Sequence, residues 1–187
     1  MKIKYEVTLE DLEEYAVFFM VNNKFGNLRY NLLRILAGAA PFIFLSSLWA
    51  QNPPYAIWSS PKYVGGAVVL SVGLVLVFSW LMKWSMKLLY RRMLVGDYAK
   101  GIIGWHERVL TDTGIDATSD VAKSSTNWEG IKGVQITERF SYIWVGPNVG
   151  WVVPKERVAE GNYDTFKEEL KRLFEKNRPG MKVETIA

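Results

Sequence analysis

The chain offers few side chains that could carry out covalent or metal chemistry. Its 187 residues contain one histidine and no cysteine, which excludes a disulfide scaffold, thiol chemistry and a cysteine-ligated zinc site. His106 lies in the alternating segment Trp105-His106-Glu107-Arg108, which predicts a strand with His106 and Arg108 on one face. The neighbouring sequence supplies neither a nucleophile nor an acid for it. We therefore expect an exposed strand histidine rather than a catalytic one.

Other candidate motifs for chemistry do not meet their requirements. Asp112, Asp116 and Asp120 recur every four residues near a glycine, whereas an EF-hand needs ligands at alternate positions and a closing glutamate. The segment Gly101-Ile102-Ile103-Gly104 is not followed by the Lys-Ser or Lys-Thr of a phosphate-binding loop. We therefore expect no catalytic residue, no metal site, no cofactor and no enzymatic activity.

The distribution of charge indicates a membrane rather than a nucleic acid. The formal net charge is +4; residues 1–92 hold ten Lys and Arg against five Asp and Glu, and residues 93–187 hold 13 against 14. A nucleic-acid-binding protein concentrates basic charge on its folded domain. Here the excess flanks apolar segments instead, so we expect no nucleic-acid partner.

Two apolar segments predict a transmembrane hairpin. Residues 63–82 carry no charge, and a helix of this length spans about 30 Å, the thickness of the hydrocarbon core. Residues 32–50 form the other span, with Arg34 near its start and Pro41 in its middle, where a kink is expected. A buried soluble helix and a re-entrant segment are the respective alternatives. Small residues on both spans, such as Gly38, allow the helices to approach closely.

The flanks of the spans predict their orientation. Basic residues precede the first span and follow the second, whereas the connecting loop carries only Lys62. The positive-inside rule therefore predicts a multi-pass protein with both termini in the cytoplasm. The loop is expected to form a turn beside an outer aromatic belt, and the residues concerned are Trp49, Pro53, Pro54, Tyr55, Trp58, Pro61 and Tyr63.

Two further segments adjoin the hairpin on its cytoplasmic side. Residues 9–22 predict an amphipathic helix that starts at Thr8, with Asp11 as its capping partner. This helix either lies in the membrane interface or packs on the soluble domain, and its acidic residues disfavour anionic lipid. The basic collar, which consists of Lys83, Lys87, Arg91 and Arg92, either only sets the orientation or binds an anionic lipid headgroup.

The remaining sequence predicts a small antiparallel β domain closed by a helix. Alternating runs between turn residues predict strands at 104–110, 115–118, 124–128, 134–138, 141–145 and 150–153, and an amphipathic helix at 163–176. Residues 2–7 also alternate and are expected to add a strand to the same sheet, which leaves the hairpin as a long insertion. The tail beyond residue 178 contains Pro179-Gly180 and is expected to be loose.

Aromatic and basic side chains of this domain form a candidate partner surface. Aromatic residues on alternating strands usually belong to the core, but at a sheet edge they mark a partner groove. Basic residues at the turns could line its rim. The candidate partner surface comprises Trp128, Trp144, Trp151, Arg139, Lys155 and Arg157.

The order of these elements resembles a known family. The sequence TLEDL before an apolar helix, the hairpin, LTDTGI, Asn127-Trp128 with Ile131, VVPKERV at 152–158 and the closing helix together resemble the YcxB-like family of bacterial membrane proteins. The resemblance implies that the C-terminal domain is pleckstrin-homology-like, and it implies no activity. The expected divisions are an N-terminal strand and helix at 1–31, the hairpin with its juxtamembrane helix at 32–92, the domain at 93–178 and the tail at 179–187.

We therefore expect an α+β membrane protein with a two-helix transmembrane hairpin in the bacterial cytoplasmic (inner) membrane. Its partners are expected to be the lipid bilayer and either a protein partner or a second copy of the chain. The cytoplasmic domain would recruit or regulate that protein partner. An immunity-type or stress-protective membrane factor and an anionic-lipid sensor are the alternatives.

Overall fold

The computed structural model describes residues 1–22, 24–51, 61–94, 99, 101–146 and 149–186. The protein is of the α+β class. Its helices are α1 (Leu9–Asn22), α2 (Lys24–Gln51), α3 (Pro61–Met93) and α4 (Tyr163–Asn177). Its strands are β1 (Lys2–Val7), β2 (Gly104–Leu110), β3 (Gly114–Ser119), β4 (Lys123–Asn127), β5 (Gly133–Ile136), β6 (Phe140–Trp144), β7 (Gly150–Pro154), β8 (Val158–Glu160) and β9 (Glu184–Thr185).

The chain divides into two units, and one of them joins both ends of the sequence. The β-rich unit consists of Met1–Tyr15 and Arg91–Ala187, and the helical unit consists of Ala16–Tyr90. The N-terminal segment forms β1, which pairs antiparallel with β2 and with β8. This confirms the expectation that residues 2–7 add a strand to the sheet of the later domain and that the apolar hairpin is an insertion within it.

The first sheet has the strand order β4-β3-β2-β1-β8. Strand β1 lies inside this sheet, between β2 and β8, and its alternate side chains, Ile3, Tyr5 and Val7, are almost completely buried. Its register places Tyr5 opposite His106 of β2 and Ile3 opposite Arg108. The inward face of β1 therefore determines which side chains of β2 lie near the core.

The second sheet has the order β7-β6-β5-β9, and helix α4 contributes to the same core. Asn162 caps α4 by accepting a hydrogen bond from the backbone of Thr165 at 2.9 Å. Phe166, Leu170 and Phe174 on one face of α4 are fully buried, as the helical spacing predicts. The six strands and the helix predicted after residue 103 are confirmed, with boundaries shifted by at most two residues.

The tail differs from its expected loose state. Residues 184–185 form β9, which pairs parallel with β5 and brings Glu184 opposite Gln135. The Gln135 amide donates a hydrogen bond to the Glu184 carboxylate at 2.6 Å. The backbone of the tail is therefore satisfied by the edge of the second sheet, which the composition of Pro179-Gly180 did not reveal.

The helical unit contains two helices long and apolar enough to cross a membrane. These candidate spans are Asn27–Ser47 within α2 and Pro61–Met93, and most of their side chains are not buried by the protein itself. A Cβ atom added at Gly38 would lie 3.0 Å from the Val75 side chain, whereas a Cβ atom added at Gly73 would have no neighbour within 4 Å. Close approach therefore depends on Gly38. The predicted turn between the spans lies at residues 52–60, outside the described residues.

Candidate functional site

The N-terminal helix is attached to the β-rich unit through Asp11. The Asp11 carboxylate accepts hydrogen bonds from the backbone N–H and the hydroxyl of Thr8, each at 2.8 Å, which confirms the predicted capping pair. The same carboxylate lies 3.0 Å from Nε of Arg157, whose Nη2 is 3.3 Å from Glu10. Arg157, which belongs to the candidate partner surface, therefore pairs with both acidic residues at the start of α1.

The two other basic residues of the candidate partner surface also have acidic neighbours within the β-rich unit. Nη1 of Arg139 donates to both carboxylate oxygens of Glu14, at 3.0 and 3.1 Å, and this hydrogen bonding raises the pKa of Arg139. Nζ of Lys155 lies 3.8 Å from Asp164. The charge of both cations is therefore offset by acidic residues that the local sequence does not place beside them, while about half of each basic side chain stays exposed.

One member of the basic collar takes part in the same arrangement. Arg91 at the end of α3 contacts the Glu13 carboxylate through Nε at 2.9 Å and Nη2 at 2.8 Å. The Glu13 side chain is almost completely buried, so this pair is more than a surface contact. Lys83, Lys87 and Arg92 are exposed on α3. All four side chains of the collar are therefore exposed, and that of Arg91 also pairs with α1.

The three tryptophans of the candidate partner surface lie in different environments. Trp128 is only 3% exposed, and its indole N–H donates to the Thr111 carbonyl at 3.1 Å; it belongs to the core and not to a surface. Trp144 is half-buried, and its indole N–H donates to Gln135 at 2.8 Å. Trp151 is also half-buried. The structure therefore does not bring the three rings together as one exposed groove.

The side chains of His106 and Arg108 are buried, contrary to the expectation of an exposed strand face. Their exposed fractions are 7% and 5%. They do share one face of β2, as the alternation predicts, but that face points inward beside Tyr5, whose ring stacks on His106 with centroids 5.9 Å apart. The physical reason is the pairing with β1, which turns this face of the strand toward the core.

His106 and Arg108 line a cavity of about 340 Å³, a volume at the lower end of ligand pockets, which span about 300–1,000 Å³. Strands β1 to β4, helix α1 and strand β7 contribute to its wall. Apolar side chains, among them Leu12, Ala117 and Val152, cover much of the lining. Trp151 closes one side, with its ring centroid 4.9 Å from the guanidinium carbon of Arg108.

Three buried polar atoms in or next to this cavity's wall have no hydrogen-bond partner among the described residues. They are the Tyr5 hydroxyl, Nδ1 of His106 and Nε of Arg108. Arg108 does donate from Nη1 to the carbonyls of Glu107 at 3.0 Å and Thr118 at 3.5 Å. Among the residues that the structure describes, no acidic side chain pairs with this guanidinium. Buried polar groups are usually satisfied, so the cluster is exceptional.

The protonation of His106 follows from its surroundings. Burial lowers its pKa below the ordinary value near 6.5, with the Arg108 charge acting in the same direction, so the ring is neutral at pH 7. Its Nε2 lies 3.0 Å from the Ile102 carbonyl. Because a carbonyl only accepts, Nε2 carries the proton, and Nδ1 is the unprotonated ring nitrogen that is buried without a partner among the described residues.

The fold and this cavity define an α+β protein with two long apolar helices inserted after its first strand and helix. Comparison with known proteins adds one result. The model of the YcxB-like protein family matches residues 110–170, which confirms the predicted resemblance over that third of the chain. The match covers β3 to most of α4 but neither His106 nor Arg108. No curated protein and no solved structure matches the chain.

Proposed function

We propose that this protein is a non-enzymatic integral membrane protein of the bacterial inner membrane whose β-rich unit recruits or regulates a protein partner. In this proposal α2 and α3 insert as a hairpin with both termini in the cytoplasm. The length and apolar surface of the two candidate spans and the basic flanks support insertion and orientation. The β-rich unit, with its sheets and closing helix, would be a pleckstrin-homology-like domain held at the membrane.

The observation that carries the proposal is the outer edge of β4. This strand ends the first sheet, pairing with β3 on one side, and four of its five side chains are exposed. An edge strand presents unpaired N–H and C=O groups to any extended chain that approaches. Five residues of open edge suit a partner segment that adds one strand to the sheet.

The register identifies the backbone groups that would bind. The N–H of Ser119 donates to the Ala122 carbonyl at 2.8 Å, which closes the β3–β4 turn. Bonded and non-bonded pairs alternate along an antiparallel ladder. Ser124 therefore bonds to β3, whereas Ser125, opposite Asp116, directs its N–H and C=O away from the sheet. A partner strand would use the Ser125 groups first.

This edge lies outside the candidate partner surface inferred from the sequence. Of that surface, Trp128 is buried, and Arg139 and Arg157 pair with α1. The β4 edge belongs to the β-rich unit and carries polar side chains. In sequence it is distant from the residues of these ion pairs. The partner would be recognised mainly through its backbone, with specificity from alternate side chains.

The test uses one position with two substitutions. Ser125→Pro removes the outward N–H while leaving the bonds between β3 and β4 intact, because proline is tolerated on edge strands. Ser125→Ala keeps that N–H and serves as the matched control. Full-length variants are purified from native membranes, and associated proteins are quantified by mass spectrometry. The proposal predicts a stoichiometric partner with wild type and Ser125→Ala that is lost with Ser125→Pro. Equal recovery with both variants, or no partner with any, contradicts it.

A further inference from the structure

The cavity beside Arg108 has features that the proposed partner edge does not use. A guanidinium that is 5% exposed carries a full charge, and burying a charge without a counter-charge is strongly unfavourable in proteins. Natural proteins usually offset this with a carboxylate. Here the described residues supply only two backbone carbonyls and two aromatic faces, those of Trp151 and Tyr5.

We propose that this cavity is a binding site for an oxyanion carried on an apolar body, with Arg108 as its charged partner. Arg108 lines the cavity, and its guanidinium gives the anion a positive charge that no acidic side chain of the described residues offsets. The apolar part would lie against Leu12, Ala117 and Val152. A carboxylate and a phosphate ester share this chemistry. This inference goes beyond the proposed function and does not depend on it.

His106 lies beside Arg108 in the wall of the same cavity. Its Nε2 bonds to the Ile102 carbonyl, and its Nδ1 is closed off within the protein. The ring is therefore a close neighbour of the bound anion and not its hydrogen-bond partner, and its signal reports whether the cavity is occupied.

The experiment exploits the single histidine of the chain. The full-length protein, in lipid nanodiscs and labelled with carbon-13 at the histidine Cε1 position, gives one ring signal, which comes from His106. Phenylacetate, phenyl phosphate and inorganic phosphate are titrated separately, with neutral phenylacetamide as the matched control. The proposal predicts a saturable shift of the His106 signal with at least one of the two phenyl anions and none with phenylacetamide.

The two phenyl anions identify the source of the ligand chemistry. A response to phenylacetate alone assigns a carboxylate, and a response to phenyl phosphate alone assigns a phosphate ester. Inorganic phosphate should bind more weakly than phenyl phosphate because it lacks the apolar body. Inorganic phosphate binding as tightly as both phenyl anions would overturn the inference, and so would a shift with phenylacetamide equal to that with phenylacetate.

Substitutions locate the charge that is responsible. Arg108→Met preserves the approximate size and removes the charge, and it should weaken binding at least about 30-fold. Arg172→Met alters an exposed arginine on α4 that pairs with Glu169 and should leave binding unchanged. Undiminished binding in Arg108→Met would overturn the inference. If Arg108→Met does not fold, the wild-type comparison of the charged and neutral phenyl probes still decides it.

Discussion

Replacing Asp11 by alanine is expected to loosen the attachment of α1 to the β-rich unit. The Asp11 side chain is 6% exposed, accepts two hydrogen bonds from Thr8 and pairs with Arg157 at 3.0 Å. Alanine removes all three interactions at once. Because the site is buried, water replaces them poorly, and the backbone N–H of Thr8 loses its acceptor.

The magnitude follows from these contacts. Loss of the helix cap costs about 1 kcal/mol, and loss of a hydrogen bond to a charged, partly buried partner costs about 2 kcal/mol. A destabilisation of about 3 kcal/mol lowers the melting temperature by about 12 °C in a unit of this size. The assay is pulse proteolysis of the full-length protein in nanodiscs after equilibration at each temperature, with cleavage inside residues 104–177 read by mass spectrometry.

Glu10 supplies the matched control for this prediction. It lies on the same helix and contacts the same Arg157 at 3.3 Å, but its side chain is 80% exposed. Exposed ion pairs add little stability, so Glu10→Ala should shift the melting temperature by no more than about 2 °C. Equal shifts for the two variants, or a shift below about 2 °C for Asp11→Ala, would refute the reasoning.

Three further predictions test other parts of the structure. Gly161 has a φ of +93°, and a Cβ there would lie 2.7 Å from a backbone oxygen, whereas Gly180, with a φ of +95°, has open space around it. Gly161→Ala should therefore lower the melting temperature by more than Gly180→Ala does. The reverse order of melting temperatures in pulse proteolysis would contradict this. Gly38→Leu should weaken packing between the two long helices while Gly73→Leu should not, as measured by the yield of a disulfide between cysteines introduced on both helices; equal yields would count against it. Burial lowers the pKa of His106. The stability contributed by its neutral ring is therefore complete above about pH 6.5 and declines as the pH falls through the lower pKa of the folded state. A titration midpoint of its ring signal at or above about 6.5 would contradict the burial argument.

Much of the architecture was accessible from periodicity. The strand at 104–110 has a period of two and ends at a clear turn signal, and the apolar run at 150–153 lies between the turn Gly146-Pro147-Asn148 and Pro154. Strands β8 and β9 have three and two residues, which is too short for any pattern. Their positions depend on pairing with β1 and β5, and such nonlocal pairing has no local sequence signal.

The candidate site was less accessible because alternation defines two faces of a strand but does not say which one is inside. His106 and Arg108 are polar, and their neighbours Trp105 and Val109 are apolar. Local hydrophobicity therefore favoured the opposite face of the strand as the buried one. The register with β1, which sets Tyr5 opposite His106, reverses that choice. A signal was present: Leu110 shares the face of Arg108, and the apolar face of β1 requires an inward partner.

The ion pairs made by the basic residues of the candidate partner surface are equally nonlocal. Arg139 and Glu14 are 125 positions apart, and Arg157 and Glu10 are 147 apart. The sequence pattern predicts the acidic residues on a helix and the basic residues at turns. Only the return of β1 into the sheet brings them together, since it carries the start of α1 with it.

In the proposed function, a protein partner adds a strand at the open edge of β4. The most direct measurement places a photoreactive amino acid at Ser125 in the full-length protein in living cells, with the same amino acid at exposed Lys171 on α4 as the control. Position 125 should give one crosslinked product of defined mass, and position 171 should not give that product. Absence of any product at 125, or the same products from both positions, would contradict it.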